Sequence, residues 1–565
     1  FIVEALDWLV IGVFFLALIG IIVWVVRQKQ NDSADYFLGG RDATWLAIGA
    51  SIFASNIGSE HLIGLAGAGA SSGMAMAHWE IQGWMILILG WVFVPFYSRS
   101  MVYTMPEFLE RRYNPQSRTI LSVISLVSYV LTKVAVTVYA GGLVFQQVFG
   151  IKELWGIDFF WIAAIGLVVL TALYTIFGGM KSVLYTSVLQ TPILLLGSLI
   201  ILVLGFKELG GWDEMMRVCG AVTVNDYGDT MTNLIRSNDD ANFPWLGALI
   251  GSAIIGFWYW CTDQFIVQRV LSGKNEKEAR RGTIFGAYLK LLPVFLFLIP
   301  GMIAFALHQK YIGAGGEGFL PMLANGTANA DAAFPTLVAK LLPAGVKGLV
   351  VCGILAALMS SLASLFNSSA MLFTIDFYKR FRPETPEKKL VGIGQIATVV
   401  IVILGILWIP IMRSVGDVLY TYLQDVQSVL APGIAAAFLL GICWKRTSAQ
   451  GGMWGLIAGM VIGLTRLGAK VYYSNAGEVA DSTFKYLFYD MNWLFFCGWM
   501  FLFCIIVVIV VSLATEAPTA EKIQGLVFGT ATKEQKAATR ASWDHWDIIH
   551  TAIILAITAA FYWYF

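Results

Sequence analysis

The sequence predicts an all-α integral membrane protein, and its hydrophobic content, its long uncharged runs and the placement of its basic residues carry that prediction. Of the 565 residues, 58% are hydrophobic and only 13% are charged, about half the charged share of a typical soluble domain. Runs such as 159–180, 348–375 and 491–515 contain no Asp, Glu, Lys or Arg. A helix needs about 18 or more such residues to cross the hydrocarbon core, and these runs are too long for the alternating strands of a β-barrel.

Hydropathy predicts about fourteen transmembrane helices along the chain. Their expected bounds are 5–27, 44–69, 75–98, 118–147, 158–179, 182–206, 242–268, 282–308, 340–376, 390–412, 417–443, 447–468, 491–515 and 547–565. With the N-terminus outside, about two-thirds of the 37 lysines and arginines fall in cytoplasmic loops, as the positive-inside rule requires. We therefore expect a multi-pass protein of the plasma or inner membrane, with both termini extracellular or periplasmic.

Two function classes are not expected from this sequence. The formal net charge is +1, so no strong basic bias indicates a nucleic-acid partner. The extramembrane loops show no nucleophile–base arrangement, phosphate loop or metal signature, so an enzyme is not expected either. The lipid bilayer is the partner that the composition does predict.

The second predicted span carries small and polar residues at its middle. Asn56, Gly58, Glu60 and His61 lie within 47–67. Glycine and serine weaken the helix there, and a break would leave bare carbonyls that are tolerated only inside protein or beside a watery cavity. Broken helices at the midplane form the ion and substrate sites of many secondary transporters. A close helix–helix contact through small residues is the alternative, but Asn, Glu and His together favour a site.

Five other ionisable or amide side chains fall inside predicted spans. Burying a charge in lipid costs at least about 2.5 kcal/mol, so each of them needs a partner or an aqueous cavity. Lys133 and Asp263 are expected to form a structural ion pair. Glu80, Lys290 and Gln424 are expected to line a polar cavity.

Two groups of residues indicate what such a cavity would hold. The aromatic run 257–260 abuts a polar stretch, and its rings would form either a cavity wall for a sugar's C–H surface or ordinary membrane packing. Ser360 and Ser361 lie in an apolar helix. Their hydroxyls would join freed carbonyls around sodium, or bond back to their own helix.

Four segments share a pattern with one family of transport proteins. They are Ala54–His61, Trp258–Arg269, Tyr288–Pro293 and Leu358–Ser368. Together they resemble the sodium/solute symporter family, and most of all its sodium/glucose cotransporter branch, over about 7–515. The resemblance implies a leucine-transporter-like fold of two inverted five-helix repeats with flanking helices. We expect a leading helix at 5–27, repeats at 44–206 and 242–443, and additional C-terminal helices at 447–565.

The resemblance also implies two binding sites. The sodium (Na+) site would use the backbone carbonyls of Ala54, Ile57 and Ala357 and the hydroxyls of Ser360 and Ser361. The sugar site would use Asn56, His61, Glu80, Tyr259, Trp260, Lys290 and Gln424. Tyr259 would stack on the pyranose ring as an inner gate.

Three positions depart from the branch's pattern. Members that couple two sodium ions carry Asp and Thr where this chain has Ser187 and Ala363, so we predict one sodium per sugar. Gly256 stands where relatives carry a polar side chain near the sugar, which leaves the sugar preference open.

The expected function is sodium-coupled symport of a neutral monosaccharide of the glucose, galactose or mannose type, by alternating access. Apart from helix ends, no Arg lies in the predicted core spans, which favours a neutral cargo over an acidic one. A same-family symporter of another solute, such as sialic acid, an inositol or proline, is an alternative. A non-transporting sugar sensor or channel is another, and whether an accessory subunit takes part is left open.

Overall fold

The computed structural model describes residues 3–565 apart from 29–30, 59, 323–325 and 416. For some further residues inside helices, chiefly 408–426, it describes the backbone alone. The described chain is mostly helical, with one short antiparallel hairpin, Glu153–Leu154 paired with Ile157–Asp158. Each of the fourteen predicted spans corresponds to a helical segment, which confirms the all-α membrane class.

The first half of the chain contains several helices that are interrupted or locally widened. Its membrane segments are Ala5–Val26, Trp45–Asn56, Ala66–Ser71, Ala77–Glu80, Gly83–Ile88, Val94–Ser100, Pro115–Ser128, Ala135–Phe149 and Phe159–Leu209. Wider π-type turns at Glu60–Leu65, Leu89–Phe93 and Tyr129–Val134 join some of them.

The second half repeats this mixture of helices and π-type turns. Its membrane helices are Trp245–Gly256, Gln264–Leu271, Glu276–Lys290, Ile299–Gly313, Val346–Met371, Glu387–Val415, Asp417–Cys443, Ala449–Asn475, Trp493–Ala514 and His545–Tyr564. The π-type turns are Phe257–Thr262, Val294–Leu298, Leu372–Lys379 and Tyr486–Asp490.

The spans predicted at 158–179 and 182–206 follow one another without a loop. They form one helical run, Phe159–Leu209, in which Gly179 has φ 59° and ψ −148°. A straight helix of that length would measure about 76 Å, far more than the hydrocarbon thickness of about 30 Å. The kink therefore divides the run into two spans. A side chain at 179 would meet the backbone of Tyr36, so glycine is required there.

Two of the interrupted helices break at a residue with extended backbone. The first, which we call the broken helix, is Trp45–Asn56 and ends where Ile57 turns extended, at φ −77° and ψ 115°. The second is the aromatic segment, Phe257–Thr262, which ends at Asp263 with φ −81° and ψ 133°. The predicted break near residue 58 is confirmed, and the break at Asp263 was not predicted.

Close packing brings these elements together. Gly49 of the broken helix lies so near Glu276–Lys290, the Lys290 helix, that a Cβ at 49 would be 2.9 Å from the Gly282 carbonyl. Val346–Met371, the serine helix, is almost wholly buried. Asp7 of the leading helix caps it, because the carboxylate accepts from the backbone amides of Gly345 at 2.6 Å and Gly348 at 2.8 Å. The serine helix and the broken helix therefore lie at the centre of the fold.

Candidate functional site

The candidate site is a cavity between the broken helix, the aromatic segment and the Lys290 helix. The volume of this cavity is about 150 Å³. Its walls include six of the seven predicted sugar residues: Asn56, His61, Glu80, Tyr259, Trp260 and Lys290. The side chain of the seventh, Gln424, lies outside the described residues. Gln427, on the same helix, does line the cavity.

Hydrogen bonds join five of these residues into one chain. The Lys290 ammonium donates to Glu80 Oε2 at 2.7 Å and to Asn56 Oδ1 at 3.0 Å. His61 Nε2 lies 3.1 Å from the same Glu80 oxygen, and Asn56 Nδ2 donates to the Tyr259 hydroxyl at 3.1 Å. The carboxylate of Glu80 thus has both a cation and an imidazole beside it, which offsets the cost of its burial.

The local backbone explains why these polar groups converge. Asn56 is the last residue of its helix, Glu80 ends the short helix Ala77–Glu80, and Lys290 ends the Lys290 helix. A lysine at a helix C-terminus is also favoured by the helix dipole. Helix ends that meet inside the membrane give side chains and freed backbone groups access to a common cavity.

An amide that the sequence analysis missed supports the aromatic wall. The indole N–H of Trp260 donates to Gln82 Oε1 at 3.1 Å, and the Lys290 ammonium lies 5.3 Å from the Trp260 ring. Tyr259 meets Trp260 edge to face, with ring centroids 4.9 Å apart. The available signal was an amide inside a span, two residues after Glu80.

The predicted pair of Lys133 and Asp263 is confirmed, with 3.5 Å between Nζ and Oδ2. The hydroxyl of Tyr129 donates to the other carboxylate oxygen. Lys133 also lines the cavity, a position that the sequence did not predict. Its ammonium lies 5.0–5.3 Å from the ring centroids of Tyr129, Trp258, Tyr259 and Phe265. Such an aromatic cage stabilises a buried cation.

The broken helix and the serine helix, which carry the predicted sodium ligands, are in contact near Ser361. After the break, the amide of His61 donates to the Gly58 carbonyl at 3.0 Å and not to Ile57, the regular helical acceptor. The Ser361 hydroxyl donates to the Ser55 carbonyl at 3.1 Å. A Cβ on Gly58 would lie 3.0 Å from that hydroxyl, so glycine permits this contact.

The remaining predicted ligands are arranged less simply. Ala357 lies one helical turn before Ser361. The Ser360 hydroxyl donates to Gln190 Oε1, so its proton is engaged while its oxygen keeps lone pairs for a cation. Uncharged hydroxyl and carbonyl oxygens are the hard ligands that suit an alkali-metal ion, and this corner of the fold fits sodium as cargo. Gln190 was missed because it lies on a distant segment of the chain.

A broken helix with an oxygen-rich corner beside a polar cavity is the arrangement that many secondary transporters use for their ion and substrate sites. The profile of the Sodium:solute symporter family matches residues 36–459. The chain belongs to this family, which makes it a sodium-coupled solute symporter of the membrane and not an enzyme.

Similar proteins agree with this assignment. The chain is 37% identical to sodium/myo-inositol cotransporter 2 of Mus musculus over 93% of this chain and 79% of that protein. It is 35% identical to sodium/glucose cotransporter 4 of Danio rerio over 96% and 84%. A solved structure of a Na+-coupled sialic acid symporter in its substrate-bound outward-open state matches with a TM-score of 0.73 and 22% identity. That match covers 91% of this chain and 99% of the other, and it confirms the leucine-transporter-like fold.

Proposed function

We propose that the protein carries a neutral monosaccharide inward together with one sodium ion, by alternating access. The observation that carries the proposal is the hydrogen-bonded chain of Tyr259, Asn56, Lys290, Glu80 and His61 along one cavity. It supplies donors and acceptors beside an aromatic face, the combination that a ring of hydroxyls requires.

The charges along the cavity favour a neutral cargo. Its two lysines already have carboxylate partners, Lys290 with Glu80 and Lys133 with Asp263. No arginine is among the described residues that line it, so an acidic solute would find no unpaired guanidinium. His61 Nδ1 is buried and has no hydrogen-bond partner among the described residues, and it would be available to a sugar hydroxyl.

The sodium ion would bind to the carbonyls of Ala54, Ile57 and Ala357 and to the hydroxyls of Ser360 and Ser361. Such an ion would hold the broken helix against the serine helix. Asn56, a proposed sugar ligand, directly precedes Ile57, so one stretch of backbone would contact both cargoes. Binding of one cargo would then preorganise the site for the other, which is the thermodynamic requirement for coupling.

Two side chains support a single sodium ion per sugar. Ser187 has a neutral hydroxyl where two-sodium relatives have a carboxylate, and Ala363 has no side-chain oxygen. One charge that crosses 100 mV supplies about 2.3 kcal/mol, and a tenfold sodium gradient adds about 1.4 kcal/mol. One ion would thus support sugar accumulation of a few hundredfold at most.

A cyclic polyol is the second candidate cargo. The similarity to sodium/myo-inositol cotransporters is as high as that to a sodium/glucose cotransporter. An inositol also presents a neutral ring of hydroxyls, so the same polar chain and aromatic wall would suit it. The two cargoes differ at the ring oxygen and the exocyclic carbon.

The two breaks also support the proposed repeats, 44–206 and 242–443. In each repeat the first helix is broken, at Ile57 and at Asp263. Inverted repeats with discontinuous helices at corresponding positions are a common architecture of secondary transporters. We also propose the plasma or inner membrane as the location, with both termini on the outside, because that orientation leaves most basic residues in the cytoplasm.

Uptake into proteoliposomes tests the proposal. Labelled glucose and labelled myo-inositol are offered under an inward sodium gradient, and again with potassium in place of sodium. Glucose accumulation in sodium alone supports the proposal, and preferential accumulation of myo-inositol selects the second candidate. Glucose binding without accumulation in either salt would identify a sensor and contradict symport.

A further inference from the structure

Gln82 and Gly256 fit together in the wall of the cavity. A Cβ on Gly256 would lie 2.8 Å from Gln82 Nε2, 2.9 Å from Oε1 and 3.0 Å from Cδ. Contacts this short are not sustained by real side chains, so any larger residue at 256 would displace the amide. Glycine at 256 is what gives the Gln82 carboxamide its place beside the cavity.

Two hydrogen bonds determine which way the amide faces. Its nitrogen donates to the Ser252 carbonyl at 2.8 Å, and its oxygen accepts from the Trp260 indole at 3.1 Å. A carbonyl only accepts and an indole N–H only donates. The orientation of the amide oxygen and nitrogen is therefore settled by its partners and is not an arbitrary choice.

These bonds use half of the amide's capacity. A carboxamide has two N–H donors and two acceptor lone pairs, and Gln82 spends one of each on Ser252 and Trp260. Gln82 is only 3% exposed, and it lines the same cavity as Lys290 and Glu80. One donor and one acceptor remain beside a polar cavity, which is the pair that a single hydroxyl group engages.

We propose that Gln82 is a further substrate-contacting residue that selects one ring hydroxyl of the cargo, and that Gly256 makes this contact possible. The inference rests on the proposed function and refines it to the recognition of a particular hydroxyl. The rival role is purely structural, in which Gln82 only holds the Trp260 indole in place. In that case its removal would weaken every sugar alike.

Deoxy sugars separate the two roles. The inhibition constants of glucose and of its 2-, 3-, 4- and 6-deoxy analogues are measured against labelled glucose uptake, for the unmodified protein and for Gln82→Met. Methionine keeps the length of the side chain and removes both hydrogen-bonding groups. We expect glucose to bind about 5- to 100-fold more weakly to Gln82→Met. The analogue that lacks the contacted hydroxyl should lose no further affinity, while the other analogues keep their penalties.

A second variant keeps the test valid if Gln82→Met fails to fold. Gly256→Ala leaves the amide in the chain but pushes it from its place, and we expect the same single deoxy analogue to lose its penalty. If every analogue keeps its wild-type ratio to glucose in both variants, Gln82 does not contact the sugar and the inference is overturned. Absence of any glucose uptake by the unmodified protein would instead overturn the proposed function, and the inference with it.

Discussion

The two broken helices solve the same backbone problem with different chemistry. At the first break the chain uses small, uncharged residues, and Gly58 lies against the Ser361 hydroxyl. At the second break it uses charge and aromatic rings, because Asp263 lies beside Lys133 and receives a hydrogen bond from Tyr129. The first break offers oxygen atoms to a cation that binds and leaves, whereas the second contains a permanent cation, the Lys133 ammonium.

The difference indicates how the site divides its work. The uncharged corner at the first break contains no cation of its own among the described residues, so its geometry can change when sodium binds or leaves. A paired lysine in an aromatic cage holds its surroundings in place at all times. The hydrogen bond from Asn56 to Tyr259 at 3.1 Å joins the two regions.

The largest expected effect is at the second break. Lys133→Ala leaves the Asp263 carboxylate buried without its lysine partner, which costs about 3–5 kcal/mol of folding free energy. The melting temperature in detergent should fall accordingly. The double variant Lys133→Ala with Asp263→Ala should recover part of the loss, because the uncompensated charge is gone. Equal melting temperatures for the single variant and the unmodified protein would show that the pair is not structural.

The next largest effect is expected from loss of the Lys290 ammonium, which connects Asn56 at the first break to Glu80. Lys290→Ala removes two charge-assisted hydrogen bonds, and the half-saturating glucose concentration should rise about 30-fold or more. The control is Lys310→Ala, since the Lys310 side chain is 41% exposed and pairs with Glu214 outside the cavity. Similar glucose dependence in both variants would remove Lys290 from the sugar site.

A smaller and more selective effect is expected at the oxygen-rich corner. Ser361→Ala should raise the half-saturating sodium concentration about 5- to 30-fold, while glucose affinity at saturating sodium stays nearly constant. Ser369→Ala is the matched control, because Ser369 is another buried serine on the serine helix, about 12 Å further along. If both variants kept the wild-type sodium dependence of uptake, Ser361 would not be a sodium ligand.

The smallest expected effect is at the hydrogen bond between Asn56 and Tyr259, which joins the regions around the two breaks. Tyr259→Phe keeps the ring but removes the hydroxyl that accepts from Asn56. A single hydrogen bond contributes about 0.5–1.5 kcal/mol, so glucose affinity should fall about 2- to 10-fold, whereas Tyr259→Ala should lose the stacking as well. Equal glucose affinities for the Phe and Ala variants would argue against stacking on this ring.

Much of the fold and part of the site could be predicted from the sequence. Uncharged runs reveal spans directly, and Asn56 with Gly58 in a membrane helix indicates a break because glycine weakens the helix and the polar side chain favours a cavity over lipid. Lys133 and Asp263 were matched by charge, since each needs a partner inside the membrane.

Contacts between distant segments could not be predicted in the same way. Gln82 and Gln190 were missed because their roles depend on which residues face them, Trp260 and Ser360. The aromatic cage around Lys133 draws rings from separate helices. The continuous run Phe159–Leu209 was also missed, because hydropathy does not show whether a span ends in a loop or a kink.

Glucose binding to the purified protein in sodium and in potassium, at equal ionic strength, tests the central claim most directly. Sodium should tighten glucose binding at least about tenfold, a coupling of about 1.4 kcal/mol, and Ser361→Ala should abolish most of this difference at a sodium concentration too low to saturate the variant. Equal glucose affinities in the two salts for the unmodified protein would contradict a sodium ion that shapes the sugar site.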